Sequence, residues 1–267
     1  MIRKHFAFTR EPFADRIEAD ELFEFRAHAE AGARIRHLLK LRGIGLLTGE
    51  VGCGKTTACR HVVSTLHSGL YRVGYVALTT GSVLDIYNMI AWAFGLEVQR
   101  SRAAAYSAIQ AEVSRLAREA RETPVLVVDE AQHLRPEILE ELRLLTSYEM
   151  DSDNRLCLLL VGLGEIRKRL AMGVCESLAQ RLVVHFHLGG LERDEVEPYL
   201  AHRLRLAGAA DVPLFAPNAV EALAQAARGM PRRVNRLAHY ALCAAAAAGL
   251  RQVGIEHVQS AVEEMHP

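Results

Sequence analysis

Thr48-Gly49-Glu50-Val51-Gly52-Cys53-Gly54-Lys55-Thr56-Thr57 is the stretch on which the fold turns. Residues 49–56 satisfy G-x-x-x-x-G-K-[ST] at every fixed position. The apolar run Ile44-Gly45-Leu46-Leu47 precedes the loop as a short strand, and residues 55–67 read as the helix that follows. A chance match in a turn would lack both flanks. Glycines let successive backbone N–H groups curl around a β-phosphate, and the helix N-terminus adds a favourable dipole. Lys55 is placed to reach the β- and γ-phosphates, and Thr56 supplies a hydroxyl ligand for Mg²⁺. The nucleotide-binding set is Gly49, Glu50, Val51, Gly52, Cys53, Gly54, Lys55, Thr56 and Thr57, with Cys53 serving as a small residue that fits the loop.

A second signal lies further along. Residues 125–128 are four apolar residues leading into Asp129-Glu130. A carboxylate at the tip of such a strand sits close to a phosphate-gripping loop. Asp129 is expected to hold Mg²⁺, mostly through water, and Glu130 to act as general base on the attacking water. A solvated acidic pair is the alternative, and the phosphate loop argues against it. The string Asp129-Glu130-Ala131-Gln132 resembles that of helicases, but a helicase motor needs two such sheet domains and 267 residues hold one.

Outward from these motifs, strands alternate with helices. The strands fall at residues 44–48, 72–78, 125–128, 156–161 and 183–188, and the helices between them at 28–41, 55–67, 83–94, 103–121 and 136–148. Fully apolar runs such as 156–161 suit strands covered on both faces. The pattern predicts an α/β fold, a parallel sheet sandwiched by helices. From Leu191 onward only helices remain, at 193–206, 217–227, 231–248 and 255–264, predicting a small all-helical lid domain. The expected organisation is an N-terminal segment with its helix, 1–42, packing on the core; a nucleotide-binding domain, 43–190; and the lid, 191–267.

Composition bounds the rest. Half the residues are hydrophobic and 24% are charged, so a packed globular chain is expected. Lys+Arg and Asp+Glu number 32 each, so any nucleic-acid contact must come from a local patch. The five cysteines are scattered and never spaced as CxxC, which argues against a disulfide framework or a zinc site and for a reducing compartment. The start lacks the apolar core of a signal peptide, and no run approaches the roughly 18 apolar residues of a membrane helix. A soluble, cytoplasmic protein is the expectation.

ATPases of this kind complete their sites with arginines, one of them from a neighbour. Arg181, in Ser177-Leu178-Ala179-Gln180-Arg181, is the candidate finger offered to the next subunit. Arg232, in Gly229-Met230-Pro231-Arg232-Arg233-Val234-Asn235, is the candidate second sensor. For each, the competing reading is a solvated arginine at a helix end.

With these residues in order, the chain resembles the AAA+ superfamily, and within it the ExeA/TnsC-type branch. The likeness runs through His5-Phe6-Ala7-Phe8-Thr9-Arg10-Glu11-Pro12-Phe13, the phosphate loop, Asp129-Glu130-Ala131-Gln132, Val161-Gly162-Leu163-Gly164-Glu165-Ile166-Arg167, Ala179-Gln180-Arg181-Leu182 and Pro231-Arg232-Arg233-Val234-Asn235-Arg236-Leu237. It spans nearly the whole chain. One position departs: similar proteins carry a polar first sensor, often glutamine, where this chain has Leu163. Slow hydrolysis is the consequence expected, and no first sensor is assigned.

The resemblance implies ATP and Mg²⁺ as cofactors and an ATP-dependent ring or filament of identical subunits. The branch contains secretion-assembly ATPases with a membrane helix beyond the ATPase region, and transposition accessory ATPases similar to TnsC, MuB and IstB. The compact length favours an ATP-dependent DNA-binding regulator of transposition, with double-stranded DNA and a transposase as partners. Such DNA binding would run through phosphates and be salt-sensitive. Candidate contacts are Thr79, Thr80 and Ser82; Gln99, Arg100, Ser101 and Arg102; and Arg167, Lys168 and Arg169. Two other readings stay open: an ExeA-type secretion or envelope-assembly ATPase, and a nucleotide-gated interaction module with negligible hydrolysis.

Overall fold

Three strands are buried at every residue, and those three carry the phosphate loop, the acidic pair and the Leu163 segment at their ends. The computed structural model describes residues 2–14, 17–77, 81–209 and 213–265. Along the chain run α1 (Ile2–His5), α2 (Arg26–Leu41), β1 (Ile44–Gly49), α3 (Lys55–Thr65), β2 (Tyr71–Val76), α4 (Val83–Ala93), α5 (Arg102–Arg115), β3 (Thr123–Val128) and α6 (Pro136–Leu145). Then follow β4 (Cys157–Gly162), α7 (Glu165–Leu170), α8 (Glu176–Ala179), β5 (Leu182–Leu188), α9 (Val196–Leu206), α10 (Pro217–Ala227), α11 (Pro231–Ala247) and α12 (Ile255–Met265). The chain forms two compact units, one of Glu30–Glu50 with Lys55–Leu188, the other of Met1–Ala29 with Val51–Gly54 and Gly189–Pro267.

The first unit holds a five-stranded parallel sheet in the order β2-β3-β4-β1-β5, as the alternating pattern predicts. Successive side chains of a strand point to opposite faces. Leu126, Val128, Leu158 and Leu160 accordingly pack with Ile86, Ile90, Ile109, Ile138, Leu139 and Leu142 of α4, α5 and α6. Val125, Val127, Cys157 and Leu159 face Ile35, Leu38, Cys59 and Val62 of α2 and α3. Cover on both faces accounts for the unbroken apolar runs. The edge strands β2 and β5 alternate buried and open positions, leaving Tyr75 48% and Val183 52% exposed. Because every strand runs the same way, Gly49, Val76, Asp129 and Leu163 all emerge at one end of the sheet.

The second unit is helical. Its core joins Ile2, Phe6, Phe8, Phe13 and Phe25 to Leu191, Tyr199, Leu200, Leu237, Leu242 and their neighbours. A buried arginine secures the N-terminal segment: Arg203 donates from Nε to the Pro12 carbonyl at 2.9 Å, from Nη2 to the Ala14 carbonyl at 2.6 Å and from Nη1 to the Tyr199 hydroxyl at 3.3 Å. Tyr199 in turn donates to Asn235 Oδ1 at 2.6 Å. Where the sequence suggests one N-terminal segment over 1–42, the structure divides it, with Met1–Ala29 in the helical unit and Glu30 onward in the sheet unit.

Differences from the sequence pattern are local. The helix expected to reach residue 121 ends at Arg115 and runs on as a π-turn, Leu116–Ala120, closed by a left-handed Arg121. The helix expected to reach 148 ends at Leu145, and short α7 and α8 fill the segment between β4 and β5. Among the described residues, no helix is long and apolar enough to cross a membrane.

Candidate functional site

Lys55 opens α3 directly from the loop, only 9% exposed, and its ammonium donates to the carbonyls of Gly49 and Glu50, each at 3.0 Å. A buried charge requires partners, and the loop's own carbonyls provide them. Thr56 follows on α3. Its hydroxyl donates to Asp129 Oδ2 at 2.7 Å. Thr57 is half-buried, and Val51, at the crest of the loop, is 62% exposed.

Asp129 retains 4% of its surface at the end of β3. Besides Thr56, the Tyr75 hydroxyl donates to Asp129 Oδ2 at 3.0 Å, and the Glu130 backbone N–H donates to Oδ1 at 2.8 Å. Burial pushes the Tyr75 phenol above its ordinary range, and the Asp129 charge beside it adds to the rise. Tyr75 is therefore a neutral donor. On α3, burial pushes the Cys59 thiol up to about 12, with Asp129 reinforcing the shift and Lys55 opposing it.

Glu130 is exposed and adopts a left-handed backbone, φ 54° and ψ 33°. A non-glycine residue rarely takes that conformation, and its cost is a mark of functional sites. The chain turns sharply there into the 3-10 turn Ala131–His133, whose Gln132 is buried. Gln132 donates from Nε2 to Glu130 Oε2 at 2.6 Å and accepts at Oε1 from the Leu163 backbone N–H at 2.9 Å.

Within the helical unit, Gly52 and Gly54 of the loop have φ of +79° and +101°. The Arg232 backbone N–H donates to the Gly52 carbonyl at 3.3 Å, and a Cβ on Gly52 would lie 2.8 Å from Arg232 Cβ. A Cβ on Gly54 would lie 2.5 Å from His28 Nε2, whose ring stacks on Phe25 with centroids 3.9 Å apart. Cys53 is fully buried.

The structure thus gathers Lys55, Thr56, Asp129 and Glu130 at the strand ends of the sheet unit; within the helical unit, Arg232 meets Gly52 through its backbone. Arg181 stands apart from the gathered residues. It precedes β5, at the opposite end of the parallel sheet, and donates to Ser147 Oγ at 3.0 Å. A strand of seven residues spans about 20 Å, so Arg181 lies at the far end of the sheet from Lys55, Thr56 and Asp129 of its own chain. Neither Tyr75 nor Gln132 is marked in the sequence by its residue type. Gln132 closes the string Asp129-Glu130-Ala131-Gln132, while Tyr75 has only its position near the end of β2 to point to it.

The candidate nucleic-acid contacts fare unevenly. Thr79 and Thr80 lie outside the described residues. The Ser82 hydroxyl caps α4, accepting from Asp85 N. Gln99 is pinned through its backbone to the Asn88 amide. Arg102 pairs with Glu141, which also accepts from Tyr87, so its charge is compensated. Arg169 donates to the Leu134 carbonyl. Arg100, Ser101, Arg167 and Lys168 are exposed.

The oxygen donors Thr56 and Asp129 fit a hard divalent cation, and Lys55 with the loop amides fits a polyphosphate. Residues 36–170 match the model of a family described as an AAA domain. The chain is 33% identical over 257 residues to general secretion pathway protein A of Aeromonas hydrophila, covering 95% of this chain and 46% of that one; it thus spans about half the length of that relative. Among solved structures, the Aeropyrum pernix ORC2 protein, in ADPNP–ADP complexes, superposes with a TM-score of 0.70 at 24% identity, over 96% of this chain and 72% of that one. The Aeropyrum pernix ORC1 protein in complex with DNA gives 0.69 at 21% identity, over 97% of this chain and 70% of that one. At these identities the two structures establish the shared fold.

Proposed function

The chain belongs to the AAA domain family, and from that premise we propose that it binds ATP with Mg²⁺ at residues 49–57 and hydrolyses it. The observation that carries this reading is the Thr56 hydroxyl 2.7 Å from the Asp129 carboxylate, beside a lysine resting on loop carbonyls. Lys55 exchanges those carbonyls for β- and γ-phosphate oxygens. Thr56 and Asp129 would hold Mg²⁺, which when bound would offset the phosphate charge. Glu130 orients the attacking water and takes its proton on a carboxylate oxygen. Arg232 contributes from its place at Gly52, and Arg181 is offered to a second copy, so that turnover depends on assembly.

Phosphate release tests this directly. Wild type turns over with Mg²⁺; Lys55→Ala loses nucleotide affinity; Glu130→Gln keeps affinity and loses about 100-fold in turnover. Turnover equal in wild type and Glu130→Gln would instead support the nucleotide-gated module without catalysis.

For the biological setting, the 33% identity across 95% of the chain supports an ATPase of the secretion-assembly type. Its nucleotide state would govern self-association and engagement of an envelope protein. The transposition reading is the second. It draws on a fold shared with a protein solved on DNA and on exposed Arg100, Arg167 and Lys168, but the pairing of Arg102 with Glu141 weakens it. An electrophoretic shift of duplex DNA, seen only with a slowly hydrolysed ATP analogue and lost as salt rises, would favour DNA and a transposase as partners over secretion.

A further inference from the structure

The Glu130 carboxylate, if it is the general base, has to face one water in one direction, yet its side chain is exposed and its backbone is the least restful at the site. Gln132 is what restrains it. The orientation of the Gln132 amide follows from chemistry: the Leu163 backbone N–H can only donate, so the atom 2.9 Å from it is Oε1, and Nε2 is the atom that faces Glu130 Oε2 at 2.6 Å. Gln132 is 2% exposed, so the amide itself is shielded from water, while the Glu130 carboxylate that it holds stays open to solvent.

Residue 162 makes room for it. A Cβ on Gly162 would lie 2.6 Å from Gln132 Oε1 and 3.2 Å from Gln132 N, so glycine at the end of β4 admits the amide. Next in the chain is Leu163, which offers no side-chain donor or acceptor. Its backbone N–H, relayed through Gln132, is how the end of β4 reaches the carboxylate.

We infer that Gln132 is a positioning residue for Glu130, fixing one carboxylate oxygen against the end of β4 and leaving the other to meet the attacking water. This rests on the reading of Glu130 as general base. The two bonds of the amide go to Glu130 and to the backbone of Leu163. It acts on the step in which Glu130 takes the proton, and not on nucleotide binding.

The test reads three quantities: steady-state kcat and KM for ATP, the Kd of a non-hydrolysable ATP analogue, and the melting temperature. Gln132→Ala lowers kcat about 10- to 100-fold, with KM and Kd held within about twofold. Gly162→Ala, which crowds the amide without removing it, gives the same split. In a Glu130→Gln background, Gln132→Ala causes no further loss. If Gln132→Ala melts early, Gln132→Met, of similar length and without the donor, carries the same comparison. Retained kcat in the folded variant overturns the assignment, as does a matching loss of analogue affinity or an additive loss in the Glu130→Gln background. Wild-type protein without ATP turnover, or Glu130→Gln as active as wild type, would bring down the general-base reading itself; with those two results in order, retained kcat brings down the role of Gln132 alone.

Discussion

Thr56 and Asp129 stand 73 positions apart, and the hydroxyl of the first donates to Oδ2 of the second at 2.7 Å. To offer a lone pair to a cation, the Thr56 hydroxyl must turn its proton away from Asp129, so this bond and metal binding are alternatives. Asp129→Asn keeps the size and removes the charge that favours the metal. Binding of a fluorescent ATP analogue to wild type should tighten on adding Mg²⁺, and in Asp129→Asn that gain should shrink by about tenfold or more. An undiminished Mg²⁺ effect would show that the cation is held elsewhere.

Tyr75 donates to the same oxygen at 3.0 Å. A carboxylate oxygen occupied by two hydroxyl protons is a poorer ligand than one freed of them. Tyr75→Phe should therefore strengthen the Mg²⁺ dependence of analogue binding by about three- to tenfold, the scale of one ordinary hydrogen bond. Folding should be little affected, since the side chain lies on an edge strand and is 48% exposed. A weakened Mg²⁺ effect in the phenylalanine variant would reverse the argument.

Arg203 holds the N-terminal segment through two backbone carbonyls and a tyrosine hydroxyl. Removing it leaves those buried acceptors without their charged donor. Arg203→Ala should cost about 2–3 kcal/mol and lower the melting temperature by about 5–10 °C, read by circular dichroism. A melt superimposable on wild type would mean that the aromatic core alone secures the segment.

Thiol chemistry gives a check that needs no nucleotide. Burial pushes Cys59 and Cys157 up to about 12. A raised thiol pKa leaves the neutral, unreactive form in place below that value. At about pH 8 iodoacetamide should leave both unmodified in the folded protein and alkylate them after unfolding in urea. Half-buried Cys243 should react before either in the folded state. Mass spectrometry of peptides from the two samples distinguishes these outcomes.

Much of the site is legible in the sequence because it is written in contiguous residues. The loop and its flanks need no long-range contact to be recognised, and 125–128 and 156–161 declare themselves as strands because helices cover both their faces. Contacts between distant segments leave no such trace. Tyr75 meets Asp129 across 54 positions and Gln132 meets Leu163 across 31; neither pair has a periodicity or a motif to announce it. The left-handed turns at Glu130, Glu149 and Met150 are equally silent, since none uses the glycine or asparagine that ordinarily signals positive φ. The opposite-end position of Arg181 follows from its place just before β5 in a parallel sheet, which the alternation of strands and helices already predicts.

The aromatic residues near the start of the chain have a practical bearing on how the protein is handled. Phe6, Phe8, Phe13 and Phe25 share a core with helices that begin after residue 190. Trimming the first 29 residues to tidy a sample would leave the sheet's own core intact but bare the apolar faces around Leu200 and Leu237. Exposed surface of that kind promotes clumping. Proteolytic nicking near the beginning of the chain should therefore be felt first as lost solubility at the far end of the sequence.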